Sequence, residues 1–229
     1  MSRLFGRRPA GVVERASDAQ VLATAMRGYG SVQAGVYVDE DTAMRHDAVW
    51  SCVNRIAQTV AMLPVDVVRY VDGTRRPIEP PPQLIASPSV VASGLDWRYQ
   101  VLASLLTRGN TWGLVTQTAT SGGATLYPTR IELVSAGSVR AQMTGGDLEL
   151  YVDGKRHDLW PVGDLWHLPA YTMAGSMLGL SPIAYHALTV GKGLAAAKFA
   201  SDFFAAGGVP VSLLLAEGNP GEEGAKRVK

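Results

Sequence analysis

Between Thr42 and Leu63 apolar residues recur at the three- and four-residue spacing of an amphipathic helix. Val49, Cys52, Val53, Ile56, Val60 and Leu63 share one face, while Ser51, Asn54, Arg55 and Gln58 fall elsewhere. Pro64 ends the run. Beyond it, Val65, Val67, Arg69 and Val71 interleave with Asp66, Val68 and Tyr70, and Asp72-Gly73 supplies a hairpin turn. A helix running directly into a hairpin is the first clear unit.

Pro77, Pro80, Pro81, Pro82 and Pro88 make residues 77–89 an extended, stiffened connection. A second helix is predicted from Leu95 to Thr107, with Trp97, Val101, Leu102 and Leu105 as its buried stripe and Gly109-Asn110 as a left-handed cap. From Trp112 to Trp166 short β-type runs follow: Gly113 to Thr118, Ile131 to Val134, Val139 to Met143, Leu148 to Val152 and Asp164 to Leu168. Gly122-Gly123, Gly145-Gly146 and Asp153-Gly154 separate several of them, which predicts a mainly antiparallel sheet. A third helix is expected from Ser181 to Ala206, with Ser181 as N-cap and Pro182 at the first helical position. Unbroken, it would be nearly 40 Å long (about 1.5 Å per residue). Its alanine-rich second half allows close approach of a partner helix.

The two ends read differently. Arg3, Arg7, Arg8 and Arg15 against Glu14 make residues 1–16 a basic, mobile tail. Ser17 and Gln20 resemble a capping box for a short helix that Gly28 stops, and Gly28-Tyr29-Gly30-Ser31 is a loop. Past Gly207-Gly208, Val209 to Leu215 reads as a strand, and Asn219-Pro220 with Glu222 and Glu223 signals a helix start. That helix has no apolar stripe before Lys229, so the chain reads as the front part of something longer. The expected division is a tail (1–16), an α+β body (17–180), a long helix (181–208) and a strand with a truncated helix (209–229).

Composition excludes several functions. Lys plus Arg is 21 and Asp plus Glu is 20, so no global field draws in nucleic acid or a membrane. Charged residues are only 18% of the chain, below the usual quarter, which points to a large core or to surface covered by neighbours. The single cysteine, Cys52, excludes an internal disulfide and a cysteine-based zinc site and fits a reducing compartment. The basic start has no apolar run behind it, so secretion is not expected. The uncharged stretch 165–191 is broken by Pro169, Gly175, Gly179 and Pro182 and is a poor membrane span.

Catalytic and cofactor patterns are weak. Gly175-Ser176-Met177-Leu178-Gly179 resembles a nucleophile elbow, but its serine sits one place early and no strand leads directly into it. The expectation is a loop. Gly191-Lys192-Gly193 is not a phosphate loop, since His186 stands where glycine is required and Gly193 where a magnesium-binding hydroxyl is needed. Gly28-Tyr29-Gly30 lacks the strand and third glycine of a dinucleotide cradle. Asp39, Glu40 and Asp41 lack the spaced oxygens of a calcium loop and are read as the solvated flank of the following helix. His157 and His167 lie on different predicted strands with no third ligand. Cys52 is read as a small hydrophobe on its helix's apolar stripe. The five tryptophans are not interleaved with basic residues as a single-strand stacking platform requires. No catalytic, metal or cofactor residues are assigned. The alternatives are a serine hydrolase using Ser176 with one of the four histidines, and a nucleic-acid-binding module using Arg3, Arg7 and Arg8.

The order of features resembles a known family. The run from Thr42 to Val53, Thr-Ala-Met-Arg-His-Asp-Ala-Val-Trp-Ser-Cys-Val, followed by Ile56-Ala57 and Leu63-Pro64, is similar to the N-terminal signature of tailed-bacteriophage portal proteins. Leu105-Leu106-Thr107-Arg108-Gly109-Asn110-Thr111-Trp112, Leu126-Tyr127-Pro128, Leu165-Trp166-His167-Leu168, Gly179-Leu180-Ser181-Pro182-Ile183 and Phe203 to Pro210 continue it in order. The resemblance runs almost continuously over the chain, although family members are usually longer.

The resemblance implies an α+β wing-type domain, a stem-type helix from Ser181 and the start of a clip near Val211. It also implies a non-enzymatic ring, usually of twelve copies, at one capsid vertex of the virion, assembled in the host cytoplasm. Its partners would be other copies, the terminase motor, capsid or scaffold protein, a head-tail adaptor and double-stranded DNA without sequence specificity. No membrane partner is implied. Near-neutral charge suits such a conduit, because strong phosphate clamps would oppose sliding.

Overall fold

The computed structural model describes residues 31–33, 35–121, 125–144, 147–174 and 176–208. The basic tail, the short helix after Ser17 and the strand and helix start beyond Gly208 lie outside the described residues. A small hairpin, β1 (Ser31–Gln33) and β2 (Val36–Val38), opens the described chain. Helices α1 (Glu40–Met44) and α2 (Asp47–Ala61) follow, then the hairpin β3 (Val68–Val71) and β4 (Thr74–Pro77). After one helical turn, α3 (Gln83–Ala86), comes α4 (Gly94–Arg108).

Two three-stranded antiparallel sheets form the β region. The first has the order β10 (Leu165–Pro169), β5 (Asn110–Ser121), β6 (Thr125–Val134). The second has the order β7 (Val139–Thr144), β8 (Asp147–Val152), β9 (Lys155–His157). Helices α5 (Pro182–Tyr185) and α6 (Ala187–Ala205) end the described chain. This is the expected α+β architecture. The strands predicted between Trp112 and Trp166 are present, two of them longer than expected. Pro128 is tolerated because β6 is an edge strand, and the pairing beside it is irregular.

Two apolar clusters hold the body together. Trp112, Val139, Leu150, Val152, Leu165 and Leu178 join the two sheets. Val38, Ala43, Ile183, Ala187 and Val190 seat the first half of α6 on the opening hairpin and α1, with Val49 and Leu194 at the margin. Helix α2 lies on α4 through Val53 and the small residues Ala57 and Ala61. Arg98 Nε donates to the Ala61 carbonyl at 3.0 Å, and Tyr99 Oη donates to Asn54 Oδ1 at 2.5 Å, so the helix pair is also polar-stitched.

Four local readings need correction. The helix expected from Thr42 to Leu63 is two helices, broken at Arg45-His46. Asp39 caps the first through a reciprocal bond with Thr42, and His46 Nδ1 caps the second by accepting from Ala48 N–H at 3.3 Å. The buried side of α2 is rotated away from the apolar stripe, because the small side chains of Ala57 and Ala61 let α4 approach. Cys52, Ile56, Val60 and Leu63 are consequently exposed rather than core. The connection 77–89 is not extended throughout. Its proline-free stretch makes one turn, with Ile85 and Ala86 donating to the Pro82 carbonyl. Finally, Ser181 caps a helix that is interrupted at His186, where φ is −101° and ψ is 18°, so the long piece is α6 at 19 residues, about 28 Å.

Candidate functional site

Three of the sequence stretches quoted above, Leu105–Trp112, Leu165–Leu168 and Gly179–Ile183, meet at one polar junction. Helix α4 ends at Gly109, whose φ of 70° turns the backbone into β5. Asn110, the first residue of β5, is buried, and its side-chain amide is fully used. Oδ1 accepts from Gly179 N–H at 2.8 Å and lies 2.9 Å from His167 Nε2, while Nδ2 donates to the carbonyls of Gly179 at 2.8 Å and Arg108 at 3.1 Å. The Gly109 carbonyl accepts from Ala170 N–H at 2.8 Å. These backbones run so close that a Cβ on either Gly109 or Gly179 would overlap main-chain atoms of the neighbouring segment.

The junction extends in two directions. His167, on β10, stacks on Trp112 of β5 with centroids 3.7 Å apart and an interplanar angle of 7°. Burial pushes its pKa down to about 4, so the ring is neutral near pH 7. Because Asn110 Oδ1 is an acceptor, the neutral ring places its proton on Nε2, an assignment made from the hydrogen-bond network. On the other side, Ser181 Oγ donates to the Thr107 carbonyl at 2.8 Å and accepts from Ala184 N–H at 3.1 Å, tying the start of α5 to the last turn of α4. Thr107 Oγ1 lies 3.0 Å from Glu40 Oε1, and Glu40 pairs with Arg108, which connects α1 to the same point.

Sequence reasoning found these residues as a family signature but missed their physical role. The available signal was the placing of glycine beside a short polar side chain, in Gly109-Asn110 and in Gly179-Leu180-Ser181. Glycine permits backbone contact and the polar group satisfies the peptide groups that contact buries.

The junction fixes geometry and presents no reacting group. Ser176 Oγ donates to the Leu178 carbonyl at 2.7 Å and accepts from Leu178 N–H at 3.2 Å, a local turn with no histidine bonded to it. His157 Nδ1 is 2.7 Å from Asp164 Oδ1, and that bond holds the Asp164 carboxyl below its ordinary pKa. Among the described residues no group of three or more His, Cys, Asp or Glu side chains could hold a metal ion. A hollow of about 450 Å³ beside the Glu40–Arg108 pair is lined by Asp39, Asp41, Met44 and Trp50 and is open to solvent. No described helix is long and apolar enough to cross a membrane. Arg3, Arg7 and Arg8 lie outside the described residues.

Among the described residues, two helices carry exposed apolar rows. One is the outer side of α2, where Ile56, Val60 and Leu63 are 47%, 41% and 54% exposed. The other is the second half of α6, where Phe199 and Phe204 are each 73% exposed, Phe199 stacking on Phe203 and Phe204 meeting it edge-on. Small soluble monomers seldom leave such rows uncovered.

Residues 47–229 match the sequence profile of the family described as phage portal protein. The chain is 30% identical over 210 residues to the "Probable portal protein" of Streptomyces phage phiC31, a match covering 87% of this chain and 46% of that protein, so it spans about half the relative's length. Among solved structures it resembles a chain of "Neck of empty GTA particle computed with C6 symmetry", at 17% identity and TM-score 0.56 over 82% of this chain and 52% of that one. It also resembles one of "Virion of native gene transfer agent (GTA) particle", at 15% identity and TM-score 0.53 over 92% and 55%. The structural likenesses carry the fold. The profile match over most of the chain, with the 30% identical relative, carries the family: this chain belongs to the phage portal proteins.

Proposed function

We propose that the chain serves as a subunit of a portal ring at one vertex of a virus capsid, acting by shape rather than by chemistry. In this role copies of the chain close about an axis, double-stranded DNA passes through the ring without sequence readout, and a packaging motor, capsid or scaffold protein and a tail adaptor dock on it. Residues 17–180 act as the wing, 181–208 as the stem-type helix, and 209–229 lead toward the clip.

The observation that carries this reading is the pair of uncovered faces, Ile56/Val60/Leu63 on α2 and Phe199/Phe204 on α6. A closed ring with one chain per position requires a heterologous contact, one patch meeting a different patch on the next copy. A single chain with two separate unpartnered apolar helix faces has what such a contact needs. The rigid junction at Asn110 supports it as well, since a ring closes only if every copy holds the same angle between body and helix.

Mass photometry and negative-stain imaging of the purified chain test the proposal. Ring-shaped particles with a central hole are expected. Monodisperse monomers at micromolar concentration would overturn it.

A further inference from the structure

The open hollow beside the Glu40–Arg108 pair is a groove with apolar walls and an acidic rim. Met44 and Trp50 form the walls, and Trp50 is 54% exposed, so half of a large aromatic side chain has nothing against it. Asp39, Glu40 and Asp41 stand at the rim with Arg108 as the one cation of the lining.

The three carboxylates are not equally engaged. Glu40 is used at both oxygens, by Thr107 and Arg108. Asp39 uses Oδ1 for the Thr42 cap, and the bonds from Thr42 hold its carboxyl below the ordinary pKa, so it is charged near pH 7. Asp41 gives Oδ2 to Arg45 in an exposed pair of the kind that contributes little. Asp39 Oδ2 and Asp41 Oδ1 have no hydrogen-bond partner among the described residues. Free carboxylate oxygens beside an uncovered indole fit a short segment that carries guanidinium and apolar groups together.

The start of this chain is such a segment, and it is tethered at the groove. Residues 1–16 hold Arg3, Arg7, Arg8 and Arg15 against Glu14, and Leu4-Phe5 stands directly before Gly6-Arg7-Arg8. Ser31, where the described chain begins, pairs across the opening hairpin with Val38, and Val38 leads straight into Asp39. The root of the tail is therefore within about 10 Å of the acidic rim. Residues 9–30 span roughly 33 Å even as one continuous helix, more than the return to that rim requires.

We propose that residues 3–8 fold back into this groove of their own chain, with Phe5 against Met44 and Trp50 and the guanidiniums of Arg7 and Arg8 on Asp39 and Asp41. A guanidinium meets a carboxylate as a planar fork and stacks on an indole face, so arginine serves both the rim and the wall. Tethering gives the segment a roughly millimolar local concentration, so a modest affinity keeps it seated. A basic segment of another protein has the same chemistry but must displace one already held at the rim. The contact lies within one copy, so it does not depend on ring formation.

The test is fluorescence anisotropy of a fluorescein-labelled peptide of residues 1–16 titrated with the full chain. R3Q/R7Q/R8Q leaves the groove unfilled and should bind the peptide. Wild type, whose own tail competes at roughly millimolar local concentration, should bind it about tenfold more weakly. Adding W50A and D41N to R3Q/R7Q/R8Q should abolish binding, whereas adding D202N, which removes an exposed carboxylate on α6, should not. Trypsin should cut wild type after Arg7 and Arg8 more slowly than W50A/D41N, by a factor independent of chain concentration. No binding to R3Q/R7Q/R8Q, equal binding by wild type, or binding retained after W50A and D41N overturns the proposal. So does protection from trypsin that rises with chain concentration, which would assign the groove to the tail of another copy.

Discussion

Asn110 pairs with Gly179 as one peptide pairs with another. The side-chain amide accepts from the glycine N–H and donates to its carbonyl, both at 2.8 Å, so a single residue closes what would otherwise be a gap between β5 and the segment leading to α5. Removing it exposes nothing to water, because the site is buried. It leaves a peptide N–H, a carbonyl and the His167 ring without partners. N110A should therefore destabilise the chain by about 3 kcal/mol, the upper end for orphaned buried polar groups. Urea unfolding checks this, and a loss below about 1 kcal/mol would mean that water fills the site.

The glycines at this crossing should be harder to replace than the asparagine. At Gly109 a Cβ meets the Leu180 carbonyl on a backbone already at positive φ, and at Gly179 it meets Gly109 and Ala170. G179A should cost more than about 3 kcal/mol, since backbone cannot rotate away as a side chain can. A thermal scan of the soluble fraction reads it. Normal yield and melting would show that the strands separate easily.

His167 makes stability pH-dependent in a defined window. Its folded pKa of about 4 lies below the unfolded value near 6.5, so the unfolded chain takes up a proton first as pH falls. The stabilisation is complete above about pH 6.5, declines as pH falls toward 4, and is fully lost below that. Its ceiling is about 3 kcal/mol. H167Q should flatten the wild-type curve between pH 6.5 and 4. The carboxyls of Asp39 and Asp164, both held low by hydrogen bonds, act in a more acidic range and should persist in the variant.

The two sides of α2 should respond oppositely. A57L forces bulk into the seam with α4 and should destabilise the monomer by about 2 kcal/mol. I56E, on the open side, should shift unfolding by less than about 0.5 kcal/mol yet prevent ring formation. Cys52 lies on that open side, so a maleimide should label it without denaturant, and more slowly in assembled particles. Burial-like protection in dispersed monomers would contradict the observed rotation of the helix.

Gly193 on α6 faces the His46 ring, with no room for a Cβ between them. G193A should destabilise by about 1–2 kcal/mol, and H46A should recover part of that loss in the double variant. Additive effects would show that the two residues are not in contact.

The element order was legible because it rests on local chemistry. Pro64 stops a helix wherever it occurs, Asp72-Gly73 makes the same turn in any hairpin, and Ser181-Pro182 starts a helix without outside help. What escaped was set by contact between distant segments. Nothing within residues 42–63 says that Ala57 and Ala61 are the seam, because alanine is apolar enough for either side and only the approach of α4 decides. The His46 ring at the break lies against Gly193, nearly 150 residues away, a contact no local pattern announces. The polar junction was visible as letters but not as a site, since Asn110, His167 and Gly179 come from three elements whose meeting is a tertiary event.

Helix α6 is held only along its first half. Ala187, Val190 and Leu194 lie against the body, and the preceding turn α5 is bonded to α4 through Ser181, whereas from Ala196 onward most side chains face solvent. The free portion is a cantilever of about 15 Å. A load applied toward its tip, where Phe199 and Phe204 sit, is resisted where Ala187 and Val190 are clamped against Val38 and Ala43, so the reaction passes into the opening hairpin and α1.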